Sequence, residues 1–444
     1  MRFLSLLLLS AGIATNSPPG PPGDGLPFID DDYPRALEQA SARHLPLFVD
    51  GWAPWCHTCR FMRANVFADA ALTKHAGQFV WLSMDTEKPS AVAFLEKFPM
   101  DSWPTLFVID PITQQAELRW AGTANVQQLE KLLEDGEFAV HRAWAHQQAN
   151  SACVEDALAE ADQLQANGDH MKAAKKYRDL LNRLATDAPR RGRVVESLVS
   201  ALMDGRDLEG CASYAQELTP QLPQGSSFAS AATAGLRCAL DAANAAPWAK
   251  RAIAVLEPLV KQALAFPGLL ADDRSGLYEL LVEHHEQSGD QDAVRTLSAK
   301  WWDFLEQESS HAKTAEARAA LDSHRVLAAQ KLGDPARAIA ALEASERDLP
   351  ADYNAPARLA VVYRSLGRYD AALAANQRAL ARVYGPRRLR ILEIEAGILA
   401  DKGDRAGARK VLSDALAEAS SIPSAQRSAE QVRRLRAALD ELQK

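Results

Sequence analysis

Six short glycine-centred breaks punctuate the C-terminal two-thirds of this 444-residue chain. They are NGDHMKAAKKY (167–177), DGRDLEGCASY (204–214), SGDQDAVRTL (288–297), LGDPARAIAAL (332–342), LGRYDAALAAN (366–376) and KGDRAGARKVL (402–412). Gly333, Gly367 and Gly403 are spaced by 34 and 36 residues, and Gly168 and Gly205 by 37. Between the breaks Ala, Leu, Arg and Glu dominate, and strand signals are absent. A period in the mid-thirties with a helix on either side of each turn describes a stacked helix-pair solenoid, because one pair cannot bury its apolar face alone. Residues 151–444 are therefore expected to be all-α, with six to eight helix pairs.

The clearest copy is YNAPARLAVVYRSLGRYDAALAANQRALARVYGP, residues 353–386. It resembles the tetratricopeptide repeat family: Gly367, Tyr369, Ala372 and Ala379 fall on that family's turn and small-residue positions, and Leu359, Ala360 and Tyr363 on its first helix. Other copies are degenerate, and the one running from Ser226 through Val260 lacks the glycine turn. The resemblance implies a concave surface for protein partners.

The N-terminal third reads differently. MRFLSLLLLSAGIATNS has a short basic start, an apolar core and small residues before Thr15, the pattern of a secretory signal over residues 1–17. A retained anchor is the alternative, although the apolar run is short for a bilayer. SPPGPPGDGLP belongs to a semi-extended linker, residues 18–28. From 29 to 138 helical and strand-like segments alternate. DDYPRALEQASARH is helical, LPLFVD a strand, CHTC the start of a helix, FVWLSMD and TLFVID strands, AELRW an edge strand and NVQQLEKLLE a closing helix. That is an α/β domain. With 58 acidic against 50 basic residues and no basic run, nucleic acid is excluded as a partner class. No segment beyond the first is apolar enough to cross a membrane, so the mature chain is expected to have no transmembrane segment.

The chemistry concentrates in VDGWAPWCHTCRFMR, residues 49–63. Cys56 and Cys59, three apart, share one face of a helix's first turn. There the unpaired N–H groups and the helix dipole favour an anion and lower the Cys56 thiol pKa. Cys59, one turn inside, is the resolving thiol. A zinc site needs four ligands, and no second CxxC exists. Covalent haem needs His after the second cysteine, where Arg60 stands. A disulfide closing so small a loop is a poor structural staple. A CxxC within a βαβ pattern is instead a redox signal.

Residues 45–122 resemble the thioredoxin superfamily, in WAPWCHTCR and in SWPT (102–105), and RFMRANVFADAALTKHAGQFVWLSMDTEK is similar to exported disulfide reductases of that family. The resemblance implies a cis peptide before Pro104, with Trp103 presenting backbone groups and Thr105 closing the substrate-binding segment. It makes Asp50 a buried acid assisting Cys59. Trp52, Trp55 and Trp103 would form an apolar surface near the sulfurs, Trp52 more as core. The lysine that often accompanies the acid is missing; its approximate position is Trp81. His57 replaces the family's usual glycine, and a cationic imidazole there makes the disulfide more oxidising.

Five cysteines is an odd number. Cys211, early in the second helix of one pair, and Cys238, late in the next, are expected to meet as a structural disulfide; the alternative is two small core residues. Cys153 is then left over and expected to be buried. Histidines 44, 75, 141, 146, 170, 284, 285, 311 and 324 show no metal-ligand spacing and read as surface or ordinary structural residues. The expectation is an exported, periplasm-type thiol–disulfide oxidoreductase. Its redox group is the Cys56–Cys59 pair, with no cofactor and no metal. Its partners are protein thiols or disulfides and an upstream redox protein, and the helical array recruits or orients a partner. The direction of exchange is open. The alternative is a non-catalytic binding scaffold on a thioredoxin-like platform.

Overall fold

The computed structural model describes residues 25–145, 153–243 and 246–443. The expected signal (1–17), most of the linker and His146 lie outside the described residues. The α/β domain runs β1 (Phe28–Asp30), α1 (Tyr33–Arg43), β2 (Leu47–Trp52), α2 (His57–Asn65), β3 (Val80–Asp85), α3 (Val92–Lys97), β4 (Thr105–Ile109), β5 (Ala116–Ala121) and α4 (Val126–Trp144). The sheet order is β1-β3-β2-β4-β5, with β1, β2 and β3 parallel and β4 and β5 antiparallel. The expected edge strand AELRW is β5. The other edge, β1, begins inside the segment read as linker, and α4 runs past 138 to Trp144.

Helices cover both faces of the sheet, so the alternation of β3 does not separate a wet from a dry face: all six of its residues are buried. One face packs Leu47, Val49, Leu82, Met84 and Phe107 against α1 and α3. The other packs Phe48, Trp81, Leu106 and Val108 under Met62 of α2 and Leu129, Leu132 and Leu133 of α4. That second layer holds α2 over the C-terminal end of β2.

The remainder is helical. The pairs are α5 (Val154–Ala166) with α6 (His170–Leu181), α7 (Arg191–Asp204) with α8 (Leu208–Leu218), and α9 (Ser226–Ala242) with α10 (Pro247–Ala263). They continue with α11 (Ala271–Ser288) and α12 (Gln291–His311), α16 (Asn354–Ser365) and α17 (Tyr369–Leu380), and α18 (Arg388–Lys402) and α19 (Arg405–Ser421). Between the fourth and fifth of these lie the short α13 (Ala315–Ala319), α14 (Asp322–Lys331) and α15 (Ile339–Asp348), and α20 (Ala429–Gln443) closes the array. The turns use left-handed glycines, with φ of 70° at Gly367 and 96° at Gly403, a conformation that penalises a side chain. The break at 204–207 differs: Arg206, at φ 62°, takes the left-handed position and Gly205 does not.

The array does not stand apart from the α/β domain. Hydrogen bonds join them from Gln163, which donates to Glu117 at 2.9 Å, to Gln426, which donates to the carbonyls of Thr86 and Lys88 at 2.8 Å. The array thus meets the domain at β5, at α2 of the CHTC motif and at the loop after β3.

Candidate active site

β2 delivers the chain to a tight bend, and Cys56 becomes the N-cap of α2, its sulfur accepting from the Cys59 amide at 3.0 Å. A sulfur held at the cap sits at the helix terminus, where donors and dipole favour negative charge. Cys56 and Cys59 are disulfide-bonded with Cα atoms 5.3 Å apart. Cys56 is 5% exposed and Cys59 1%. The Trp103–Pro104 peptide is cis. Thr105 opens β4 opposite Gly51 and donates its hydroxyl to the Ser102 carbonyl at 2.8 Å; Pro104 O accepts from Gly122 N at 2.9 Å. Trp52, Trp55 and Trp103 pack against the sulfurs, with the Trp55 and Trp103 rings 5.2 Å apart. Cys56, Cys59, Trp55, His57, Trp103, Pro104 and Thr105 are thus one cluster.

Asp50 lies on β2, the strand that leads into the motif, 1% exposed, with Oδ1 lacking any hydrogen-bond partner. Burial pushes its carboxyl up to about 7, against the opposing charge of Arg63. The register pairs Asp50 with Ser83 on β3, not with Trp81, which faces Phe48. The cation comes from elsewhere. Arg63, one turn beyond Cys59 on α2, places its guanidinium 3.9 Å from Asp50, 4.2 Å above the Trp52 ring, and donates to the Ser83 hydroxyl.

The array completes the site in a way sequence reasoning missed. Asp272 of α11 is buried, and its Oδ1 lies 2.8 Å from His57 Nδ1 and 3.2 Å from His324 Nε2 of α14. Its Oδ2 accepts from the Thr58 hydroxyl at 2.7 Å. Both residues between the cysteines are therefore bound to one carboxylate of the array. His324, read from sequence as an ordinary residue, is 2% exposed, with its ring 4.1 Å from that of His57. Burial would raise the Asp272 carboxyl, but the His57 charge and the two imidazole hydrogen bonds hold it well below the usual carboxylate range. Burial alone would lower His57, but Asp272 outweighs it and the imidazole is raised above its ordinary value. His324 is lowered, by burial and by the His57 charge.

Further clamps flank this one. Arg60 pairs with Asp352 at 2.6 Å, and Asn354 of α16 donates to the Pro54 carbonyl at 2.9 Å. Trp55 donates to Glu87 at 2.8 Å, while the Arg387 amide donates to the other Glu87 oxygen at 2.6 Å and its guanidinium lies over Trp55. Gly385 lets that loop approach, since a Cβ there would sit 2.1 Å from the Glu87 carbonyl oxygen. Between the two parts of the molecule a cleft of about 420 Å³ is lined by His57, Thr58, Trp103, Gly122, Glu196 and Asp273, among others. Burial pushes Glu196 and Asp273 up to about 7.

Among the described residues, His57, Asp272 and His324 form a His/Cys/Asp/Glu group compact enough to be weighed for a metal, with one donor atom each within 4.8 Å. Their atoms are already engaged with one another, and Thr58 occupies the second carboxylate oxygen. The set is satisfied as a hydrogen-bonded network. Cys211 of α8 and Cys238 of α9 are disulfide-bonded, Cα atoms 6.3 Å apart, in the array core away from this site. Cys153 is half-buried, not buried as expected: it is the N-cap residue of α5 and its thiol donates to Glu155 at 3.0 Å.

A family model described as thioredoxin-like matches residues 29–111. No curated protein matches the chain. Among solved structures the chain is similar to a tetratricopeptide repeat protein from Parabacteroides merdae ATCC 43184, at 10% identity and a TM-score of 0.44, over 66% of this chain and 99% of that one. It is also similar to residues 1–338 of Acl4, an assembly chaperone of RpL4, at 14% identity and 0.32, over 66% and 98%. A monomeric IFIT1 mutant with Gppp-AAAA aligns at 14% and 0.31, over 72% and 80%. The thioredoxin-like match over residues 29–111 is followed by a helical region.

Proposed function

We propose that this protein is an exported thiol–disulfide oxidoreductase acting on protein disulfides, in which the helical array forms one wall of the substrate cleft. The observation that carries the reading is Cys56 at a helix N-cap, bonded to Cys59, with Trp103 of a cis Trp103–Pro104 peptide packed against the pair and a buried Asp50 on the strand leading into it. In the reducing direction the Cys56 thiolate attacks one sulfur of a substrate disulfide. A Cys56–substrate disulfide forms, and the other substrate sulfur leaves as a thiolate and takes up a proton. Cys59 then gives its proton to Asp50, whose pKa near neutrality suits a base for a thiol. Its thiolate attacks the Cys56 sulfur, so the enzyme pair is oxidised and the second substrate thiol is released. An external dithiol returns the pair to the reduced state; in reverse the same steps oxidise substrate.

Trp103 and Gly122 line the cleft on the α/β side together with His57 and Thr58, and their backbone suits an extended segment running past the CHTC turn. Glu196 and Asp273 are half-neutral near pH 7, so the opposite wall tolerates an uncharged backbone. Export is supported by the signal-like residues 1–17, and no helix among the described residues is long and apolar enough to cross a membrane.

A second reading, a binding scaffold with little turnover, is favoured by one observation: Cys56 is only 5% exposed beneath the array. Reduction of insulin and of a short disulfide-bonded peptide, with dithiothreitol as donor, separates the two. The enzyme reading predicts turnover by the full chain and its loss in Cys56→Ser. Equal rates in both would end it.

A further inference from the structure

We propose that Asp272, carried by the helical array, is a positioning residue of the redox centre, holding the imidazolium of His57, the residue that follows Cys56, so that the array sets the reactivity of a nucleophile in another domain. The inference rests on Cys56 being the attacking sulfur. It begins from the isolation of Asp272. A carboxylate 5% exposed in its side chain is costly unless paired and hydrogen-bonded. Its three partners are the two residues between the cysteines and one imidazole of the array. Asp162, another buried acid of the array, pairs within it, with Tyr177 and Arg193, whereas Asp272 reaches across to the α/β domain. The placement makes sense as a contact with the CHTC turn.

The two imidazoles are too close for both to be charged, and the surroundings decide which one is. His57 faces Asp272 and Glu279 from α11, His324 from α14 and the cation of Arg358 from α16. Asp272 is in direct contact and dominates, so His57 is the charged ring. His324, lowered by burial and by the His57 charge, has Nε2 3.2 Å from Asp272 Oδ1 and Glu279 3.7 Å from its other nitrogen. His57 directly follows Cys56 in the chain and opens α2. Its charge therefore adds to the helix dipole near the sulfur, and because the His57 side chain is one-third exposed the effect is partly screened by salt. The sign follows. With Asp272 present, His57 keeps its proton to a higher pH than a free imidazole and the thiolate is favoured over that range. With an amide there, burial deprotonates His57 and the Cys56 pKa rises. Above the pH at which wild-type His57 loses its proton, the two proteins should converge.

The test is the pH profile of iodoacetamide reaction at Cys56, read by peptide mass spectrometry on the reduced full-length chain. Asp272→Asn should lower the rate between pH 6 and 7 about tenfold, the effect of roughly one pKa unit from losing a close cation. Asp272→Glu should recover most of it, and in a His57→Ala background Asp272→Asn should change nothing. An unchanged or more acidic Cys56 profile in Asp272→Asn, or an equal shift without His57, overturns the proposal. If Asp272→Asn does not fold, ¹³C-histidine NMR of the wild type decides. His57, assigned by its absence from His57→Ala, should titrate above the ordinary value of about 6.5, and a value below it overturns the assignment. A chain that fails to exchange with disulfides while Cys56 still responds to Asp272 would overturn the oxidoreductase reading and support this one.

Discussion

Asp50 is where burial and chemistry oppose each other most directly. Its carboxyl, enclosed under the CHTC turn with Oδ1 unpartnered, stays protonated to about pH 7 in the folded chain, against about 3.9 unfolded. The folded state therefore binds the extra proton, so the contribution is present at acid pH and is lost as pH rises from about 4 through about 7. Replacing the group with an amide removes this penalty. Asp50→Asn is expected to stabilise the chain by on the order of 2–4 kcal/mol at pH 8 and by much less at pH 5, as read by denaturant unfolding. The same variant should slow release of the mixed disulfide, because Cys59 loses its base. Equal stabilisation at both pH values would show that Asp50 ionises normally. Asp50 was legible from its place six residues before Cys56. Arg63 was not, because the missing cation was sought on the neighbouring strand and comes from α2. Asp272 and His324 were beyond reach: 215 residues separate Asp272 from its His57 partner, and neither has a local sequence signal.

Helix pairing was readable because a mid-thirties period and left-handed glycine turns are local properties. β1 was not, since three residues after a Pro/Gly stretch carry too little alternation to mark a strand. The pairing of Cys211 with Cys238 followed from the geometry of stacked pairs, and it stabilises one junction in the middle of the array core. The bridge closes a loop with a sequence separation of 27. Its removal is expected to cost about 3.5 kcal/mol on a chain-entropy basis. Cys211→Ala/Cys238→Ala should therefore unfold at lower denaturant while Cys56 retains its reactivity. Loss of Cys56 reactivity in the folded variant would show that the array core is coupled to the redox centre.

For the molecule as a whole, what sequence presented as a catalytic domain and a remote recruiting array is one closed assembly. The contacts that make it so join residues as far as 340 apart, among them Arg60–Asp352, Asn354–Pro54 and Gln426–Thr86. Helical periodicity specifies how neighbours stack, not where the curl of the stack brings distant turns. The clamps around Pro54, Trp55 and Arg60 limit access to Cys56. Asp352→Ala with Asn354→Ala is expected to speed modification of reduced Cys56 by a bulky polyethylene-glycol maleimide severalfold, with a smaller change for iodoacetamide. Equal changes for both reagents would mean that the array does not gate by size. The central claim, a reversible redox pair biased by His57, is tested most directly by equilibrating the full-length chain with glutathione buffers and following tryptophan fluorescence. Trp55 and Trp103 lie against the sulfurs. One two-electron transition, absent in Cys56→Ser, is predicted at a potential above the roughly −270 mV of thioredoxin. A pair that does not cycle, or whose midpoint lies at or below that value, would contradict the account.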